Sequence, residues 1–203
     1  MDFYKFHSNP EILQGYDRAD EIVPERIYYI ATSGKKLTDK QEDVLTKDPH
    51  WAYSYALTVL KKPWPKGEAT IAKNAEYAFD YALYVLENPW QDGESVIIKD
   101  KHWAYMYACY ILKKPWPKGE DAIAKDPYYV YYYVLEVLKK PFPKGENVIA
   151  KNPYCAYYYA LNVLKKPWPK GEDVITKDKY WSYMYKLNVL KLPEARKLKN
   201  ENK

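Results

Sequence analysis

Apolar positions in the middle of the chain fall at helical spacing, break off at a proline, and then repeat the same pattern in fixed register. The segment KDPHWAYSYALTVLKKPWPKGEATIA begins at Lys47, and its copies begin at Lys73, Lys99, Lys125, Lys151 and Lys177, a constant step of 26 residues. Asp48 before Pro49 predicts an N-cap followed by proline at the first helical position, and the pair recurs as Asp126-Pro127 and, with Asn as the cap, Asn152-Pro153. A first helix is predicted from there for about thirteen residues, to Lys61-Lys62, where Pro63 ends it because proline cannot donate to the ladder and pushes its predecessor out of the α region. Pro63-Trp64-Pro65 should be extended, with Trp64 folded back as a plug. Gly67-Glu68 should open a shorter second helix through Ala72, with the glutamate favouring the helix dipole. So short a helix holds only by packing.

The unit is therefore a helical hairpin, and the predicted fold is an all-α solenoid of stacked hairpins, in the style of TPR or HEAT arrays but with a shorter repeat. Columns that hold their residue type mark the expected core. They are Tyr55, Tyr81, Tyr107, Tyr133, Tyr159 and Tyr185; Tyr53, Phe79, Tyr105, Tyr131, Tyr157 and Tyr183, where the Phe shows the hydroxyl to be dispensable; Val59 and its counterparts, each followed by Leu; Trp64, Trp90, Trp116, Phe142 and Trp168 in the loop; and Ile71, Ile97, Ile123, Ile149 and Ile175 in the short helix.

Three regions follow: a cap with a degenerate repeat over 1–46, six repeats over 47–192, and a basic C-terminal cap or tail over 193–203. Within the first, residues 24–46 align loosely with the unit, placing Tyr29 on the invariant Tyr column and Lys35-Lys36 on the Lys-Lys pair. Thr38 and Gln41 have the spacing of a capping box, and a short helix is expected after Ser8-Asn9-Pro10. Wet terminal units are what an open stack requires.

Composition adds an aromatic load, 24 Tyr and 7 Trp, and a mildly basic net charge of +5, less than a dedicated nucleic-acid binder usually carries. With only two cysteines, no apolar run of signal-peptide length and no transmembrane-length segment, the chain reads as cytoplasmic and free of the membrane.

Enzyme motifs are missing: there is no Walker loop, dinucleotide fingerprint, HExxH, CxxC or GxSxG. No catalytic residue, cofactor or metal is expected. His50 and His102 share a repeat position two units apart, roughly 20 Å if the units stack like packed helices, and read as partly exposed surface residues. The column Glu68, Glu94, Glu120, Glu146 and Glu172 reads as helix starts or partners of a neighbouring lysine. Cys109 and Cys155 read as small buried hydrophobes.

Two surface features remain. A lysine edge flanks the PWP turn; Lys113, Lys114, Lys118, Lys139, Lys140 and Lys144 are its phosphate-contacting candidates, against the plainer reading of solvated cations that complement a helix C-terminus. The second unit interrupts this edge with Glu87, Asn88, Gln91 and Asp92. The other feature is a variable stripe at positions 4, 8 and 12 of each unit, one turn apart on the first helix. Of its eighteen residues seven are Tyr and none is Lys or Arg, a composition suited to recognition. The alternative is that the stripe packs against the next unit. The partner-binding candidates are Met106, Tyr110, Tyr128, Tyr132, Tyr154 and Tyr158, where the large aromatics gather.

The phrases AYxYAxxVLKKPWPKGE and IAKDP resemble short helical repeats that occur in proteins of tailed phages and large DNA viruses, over residues 47–192. The resemblance carries no catalytic residues. It implies a viral origin and no single activity, though small phage proteins of this kind often act on host components, including defence systems. The expected function is non-catalytic binding of a protein partner, a host protein antagonised or taken over. The alternatives are binding of a nucleotide or single-stranded nucleic acid, with Tyr stacking on bases and lysines holding phosphates, and a purely structural scaffold.

Overall fold

The computed structural model describes residues 23–195, all of them helix, turn or connection, with no strand among them. The predicted caps are in place. Asp48 accepts the His50 and Trp51 N–H groups at 2.9 and 3.2 Å, and Asn74, Asp100, Asp126, Asn152 and Asp178 cap their helices with the same side-chain position. Each cap satisfies an end N–H and contributes about 1 kcal/mol.

The first helices do not end as plain α-helices. Pro49–Ser54 continues as a π-helix over Tyr55–Leu60. The same widening occurs over Tyr107–Leu112, Val134–Leu138 and Tyr159–Leu164. The second and sixth units instead carry the α-helices Ala75–Tyr84 and Lys179–Asn188. All six first helices end on a left-handed residue, Lys61, Glu87, Lys113, Lys139, Lys165 and Lys191, with φ between 51° and 57°. A side chain there costs roughly 1–2 kcal/mol, and the reversal aims the chain into the proline turn.

Trp64 is buried in that turn, as expected of a plug. It is also the N-cap of the short helix, which begins at Pro65, two residues before the expected start at Gly67. Proline suits that first position because its missing N–H would have had no partner. Gly67 is fixed by closeness: a Cβ would land inside the Trp64 ring. The remaining short helices are Gln91–Ile97, Glu120–Ile123, Pro143–Ile149 and Pro169–Lys177, and the isoleucine of each is fully buried.

Consecutive first helices pack on one another, and each short helix lies against the first helix of its own unit and of the next. In the first five units positions 6, 9 and 10 of the first helix, such as Ala78, Tyr81 and Ala82, are buried between these two layers; in the sixth Tyr185 is buried, Ser182 half-buried and Lys186 exposed. Positions 4, 8 and 12 lie on the opposite side and form an outward ridge running across the stack.

The N-terminal repeat departs from its expected alignment. Its helices are Pro24–Thr32 and Asp39–Leu45, and the capping box of Thr38 and Gln41 opens the second. Tyr28, not Tyr29, is the buried tyrosine, and its hydroxyl lies 2.8 Å from the Thr58 hydroxyl, the bond that position 7 makes elsewhere. The first helix is therefore shifted by one residue relative to the unit, while Glu42 on the second keeps the unit's register against Tyr55. A shortened loop with Gly34 at φ 85° absorbs the difference. The helix expected after Ser8-Asn9-Pro10 and the tail over 196–203 lie outside the described residues.

Candidate binding surface

What holds the ridge in place is a hydrogen-bonded seam repeated between units. The Tyr81 hydroxyl, in the second unit, accepts the Trp64 backbone N–H of the first at 2.7 Å and donates to Glu68 Oε1 at 2.8 Å. Tyr107 does the same with Trp90 and Glu94, Tyr133 with Trp116 and Glu120, Tyr159 with Phe142 and Glu146, and Tyr185 with Trp168 and Glu172. This seam gives the glutamate column its role, which the sequence reading placed at helix starts and lysine pairs. Lysine pairing occurs as well, in the exposed bridges Lys118–Glu94 and Lys170–Glu146. Burial first, and the neighbouring carboxylate with it, push the hydroxyls of Tyr107, Tyr133, Tyr159 and Tyr185 up to about 12. Tyr55 is pushed up to about 12 by burial and Glu42. Among the described residues no fully buried side-chain polar atom lacks a partner.

A second set of contacts decides how far each ridge residue projects. The position 7 hydroxyl pairs with position 12 of the next unit in Tyr28–Thr58, Tyr105–Glu136, Tyr131–Asn162 and Tyr157–Asn188, each at 2.8 Å. Two junctions lack the bond: Tyr53 faces Tyr84, and Phe79, having no hydroxyl, faces Tyr110. Position 7 also meets the ring at position 5 of the next unit, as in Tyr53–Tyr77, Tyr105–Tyr129, Phe79–Trp103 and Tyr157–Trp181, with centroids 5.3–5.8 Å apart. Cys155 supplies no ring at that place, and Tyr158 and Tyr154 close over Tyr131 instead, at 6.1 and 6.5 Å.

The predicted partner-binding residues divide accordingly. Tyr110, Tyr128 and Tyr132 are exposed on the ridge, whereas Met106, Tyr154 and Tyr158 are half-buried and packed against the core. Exposed with them are Tyr84 and Tyr180, the two most open tyrosines of the set and not among the predicted site residues. Among the described residues the exposed large hydrophobic side chains are Tyr84, Tyr110, Tyr128, Tyr132 and Tyr180; they are 37–59% accessible and all lie at ridge positions. Phe79 and Cys155 interrupt otherwise hydroxyl-bearing or aromatic columns, and these interruptions release Tyr110 and draw in Tyr154 and Tyr158; no such sign in the sequence marks Tyr84 or Tyr180.

The lysine edge divides in a similar way. Lys118 pairs with Glu94, and Lys144 with Asp121. Lys139 donates from Nζ to the Leu135 carbonyl of its own helix. Lys113, Lys114 and Lys140 are exposed and make no ion pair among the described residues.

The remaining candidate chemistry is occupied by packing. His50 Nδ1 lies 3.1 Å from the Tyr77 hydroxyl and His102 Nδ1 3.0 Å from that of Tyr129, so both rings bridge adjacent units. Cys155 is fully buried, as expected; Cys109 is only partly so. Burial, with Glu136 adding to it at Cys109 and Asp126 at Cys155, pushes both thiols up to about 12, which disfavours the reactive thiolate. No cluster of three or more His, Cys, Asp or Glu side chains suited to a metal ion occurs among the described residues, and no helix there is long and apolar enough to cross a membrane. No family model, no curated protein and no solved structure matches this chain.

Proposed function

We propose that the chain is a non-catalytic scaffold that binds a protein partner on the outward ridge of its first helices. The observation that carries this reading is that, among the described residues, the exposed large apolar side chains are confined to one ridge, as five tyrosines. Tyrosine combines a large apolar ring with a polar tip and few rotamers to freeze, which suits an interface formed and dissolved in water. The seam supports the reading from the other side, because it consumes the glutamates and histidines that an active site would draw on. The resemblance to viral helical repeats adds that the chain is virus-encoded and the partner a host protein in the cytoplasm, whose action is blocked or redirected.

The test is the double change Tyr128→Ser and Tyr132→Ser. Both side chains are exposed, so stability should stay within roughly 1 kcal/mol of the parent. Binding to the partner isolated with the parent protein should weaken about a hundredfold. Unchanged binding by a folded double variant would remove the ridge from the mechanism.

The second reading, a nucleotide or single-stranded nucleic acid, draws on Lys113 and Lys114 following Tyr110 on the same helix end, exposed and without ion pairs. A base stacked on the ring would place a phosphate within their reach. The acidic second unit beside them speaks for the protein reading.

A further inference from the structure

The ridge is not uniform, and its second unit is chemically unlike the rest. Glu76, Asp80 and Tyr84 follow one another a turn apart on the helix Ala75–Tyr84. Tyr110 holds the Tyr84 position in the next unit, roughly 8–10 Å away at the usual spacing of packed helices. These are the two tyrosines released from seam duty, since Tyr53 makes no hydrogen bond across its junction and Phe79 has no hydroxyl to offer. They are 57% and 50% exposed. Their position in the other units is filled by side chains that bond back across the seam, Thr58, Glu136, Asn162 and Asn188. The fold has no evident use for two large rings projecting here.

The charge around them is also singular. In a chain of net charge +5, this unit replaces the Lys-Lys pair by Glu87-Asn88 and the turn lysine by Asp92. No lysine or arginine stands at any ridge position. Asp80 is half-buried, yet it accepts no hydrogen bond and joins no ion pair among the described residues, and neither does Glu76. Two carboxylates a turn apart repel each other. Burial and the like charge of Glu76 accordingly push the Asp80 carboxyl up to about 6. A cation at this point would relieve both costs, and the faces of exposed tyrosines attract the same cation.

We propose that Tyr84 and Tyr110, together with Asp80 and Glu76, form a docking point for a basic segment of the partner protein, an arginine or lysine set beside an apolar residue. The apolar residue lies against the two rings. The cationic head reaches the carboxylates, with arginine preferred because its flat guanidinium both stacks on a ring and hydrogen-bonds to a carboxylate. This deepens the ridge reading and rests on it: the ridge is the interface, and the second and third units set the chemistry of what docks there. The same carboxylates repel the phosphates of a nucleic acid at this end.

The experiment is a selection from a random peptide library displayed on particles, with the full-length protein immobilised. Selected peptides are then titrated against four proteins: the parent, Glu76→Gln with Asp80→Asn, Tyr84→Ser with Tyr110→Ser, and Tyr132→Ser. Circular dichroism confirms that each is folded; the Asp80 and Glu76 side chains make no hydrogen bond that the amides would break. The expected result is enrichment of arginine or lysine next to an apolar residue. Affinity should fall about tenfold or more in each of the two double variants, and by less in Tyr132→Ser, which stands on the ridge away from this docking point. The proposal is overturned if no peptide is selected, if the selected peptides lack cations, or if cationic peptides bind the amide variant as well as the parent. Loss confined to Tyr132→Ser would overturn it while leaving the ridge reading in place, and no loss in any variant would remove both. If the free protein sediments as a dimer that Asp80→Asn splits, the occupant is a second copy of the chain and the proposal is wrong as stated.

Discussion

The hydroxyl of Tyr133 accepts the backbone N–H of Trp116 at 2.8 Å, across a separation of 17 residues. That N–H lies in the proline turn, where no helical carbonyl can reach it. The tyrosine column is held by its oxygen as well as by its ring.

Removing the oxygen alone should therefore be costly in this column and harmless at Tyr53, whose hydroxyl has no partner among the described residues. Tyr107→Phe leaves the Trp90 N–H and Glu94 short of a partner and should cost about 1–3 kcal/mol. Tyr107→Ala, which also empties the core, should cost roughly 3–5 kcal/mol. Tyr53→Phe, whose hydroxyl makes no hydrogen bond, should stay within about 0.5 kcal/mol. Urea denaturation of the three variants reads the difference, and equal cost for the two Phe variants would contradict the seam.

Alkali should open the stack. The seam tyrosines Tyr55, Tyr107, Tyr133, Tyr159 and Tyr185 are pushed up to about 12, against about 10 for an unfolded tyrosine. The neutral form is favoured in the fold. Their contribution is thus fully present below pH about 10 and is lost as pH rises toward about 12. Tyrosinate absorbance and loss of helical ellipticity should rise together over that interval. Ionisation of these tyrosines near pH 10 with the helix signal intact would count against it.

Asp80 follows the same linkage at lower pH. Its carboxyl is raised to about 6, from an ordinary value near 4, so the charged form destabilises the fold at neutral pH and the penalty disappears as pH falls through that window. Asp80→Asn should stabilise the protein by about 1 kcal/mol at pH 7, with the advantage gone near pH 4. Thermal denaturation of both proteins at the two pH values measures this. A constant difference would show that Asp80 does not titrate as described.

The lysine edge is tested by salt. If it grips phosphates, affinity for a single-stranded oligonucleotide should fall steeply with ionic strength, and exchanging Lys113, Lys114 and Lys140 for Glu should abolish it. Exchanging Lys118 and Lys144, already paired with carboxylates, should matter less. Binding that ignores both salt and exchange would leave these lysines as a solvated face.

The repeat, the caps, the tryptophan plug and the core columns are legible in the sequence because each is a local pattern displayed several times over. What is not legible depends on the neighbouring unit. That Glu68 receives Tyr81, or that Tyr154 and Tyr158 close the gap left by Cys155, follows from how one hairpin lies on the next. The repeat period does not contain that information. The N-terminal repeat misled for a related reason. Its helix matches the unit by eye with Tyr29 in the tyrosine column, yet Tyr28 is the buried tyrosine and makes the bond of position 7, and a one-residue change in loop length is invisible until the helix is rotated into place. The ridge itself was recognisable from its lack of lysine, but which of its tyrosines project was decided by partners across the seam.

The seam also works as a ruler. Its bonds join residues separated by constant intervals of 13 and 17 along the chain, and no bond of this pattern skips a unit. Excising residues 99–124 would bring Trp90 and Glu94 to the same spacing from Tyr133 that they now have from Tyr107, and every other junction would be untouched. The gene can therefore gain or lose whole hairpins by unequal recombination without repacking the rest, much as a chain is lengthened by links. Copy number becomes an inherited dial for the reach of the ridge, turned separately from the side chains that decide what it holds.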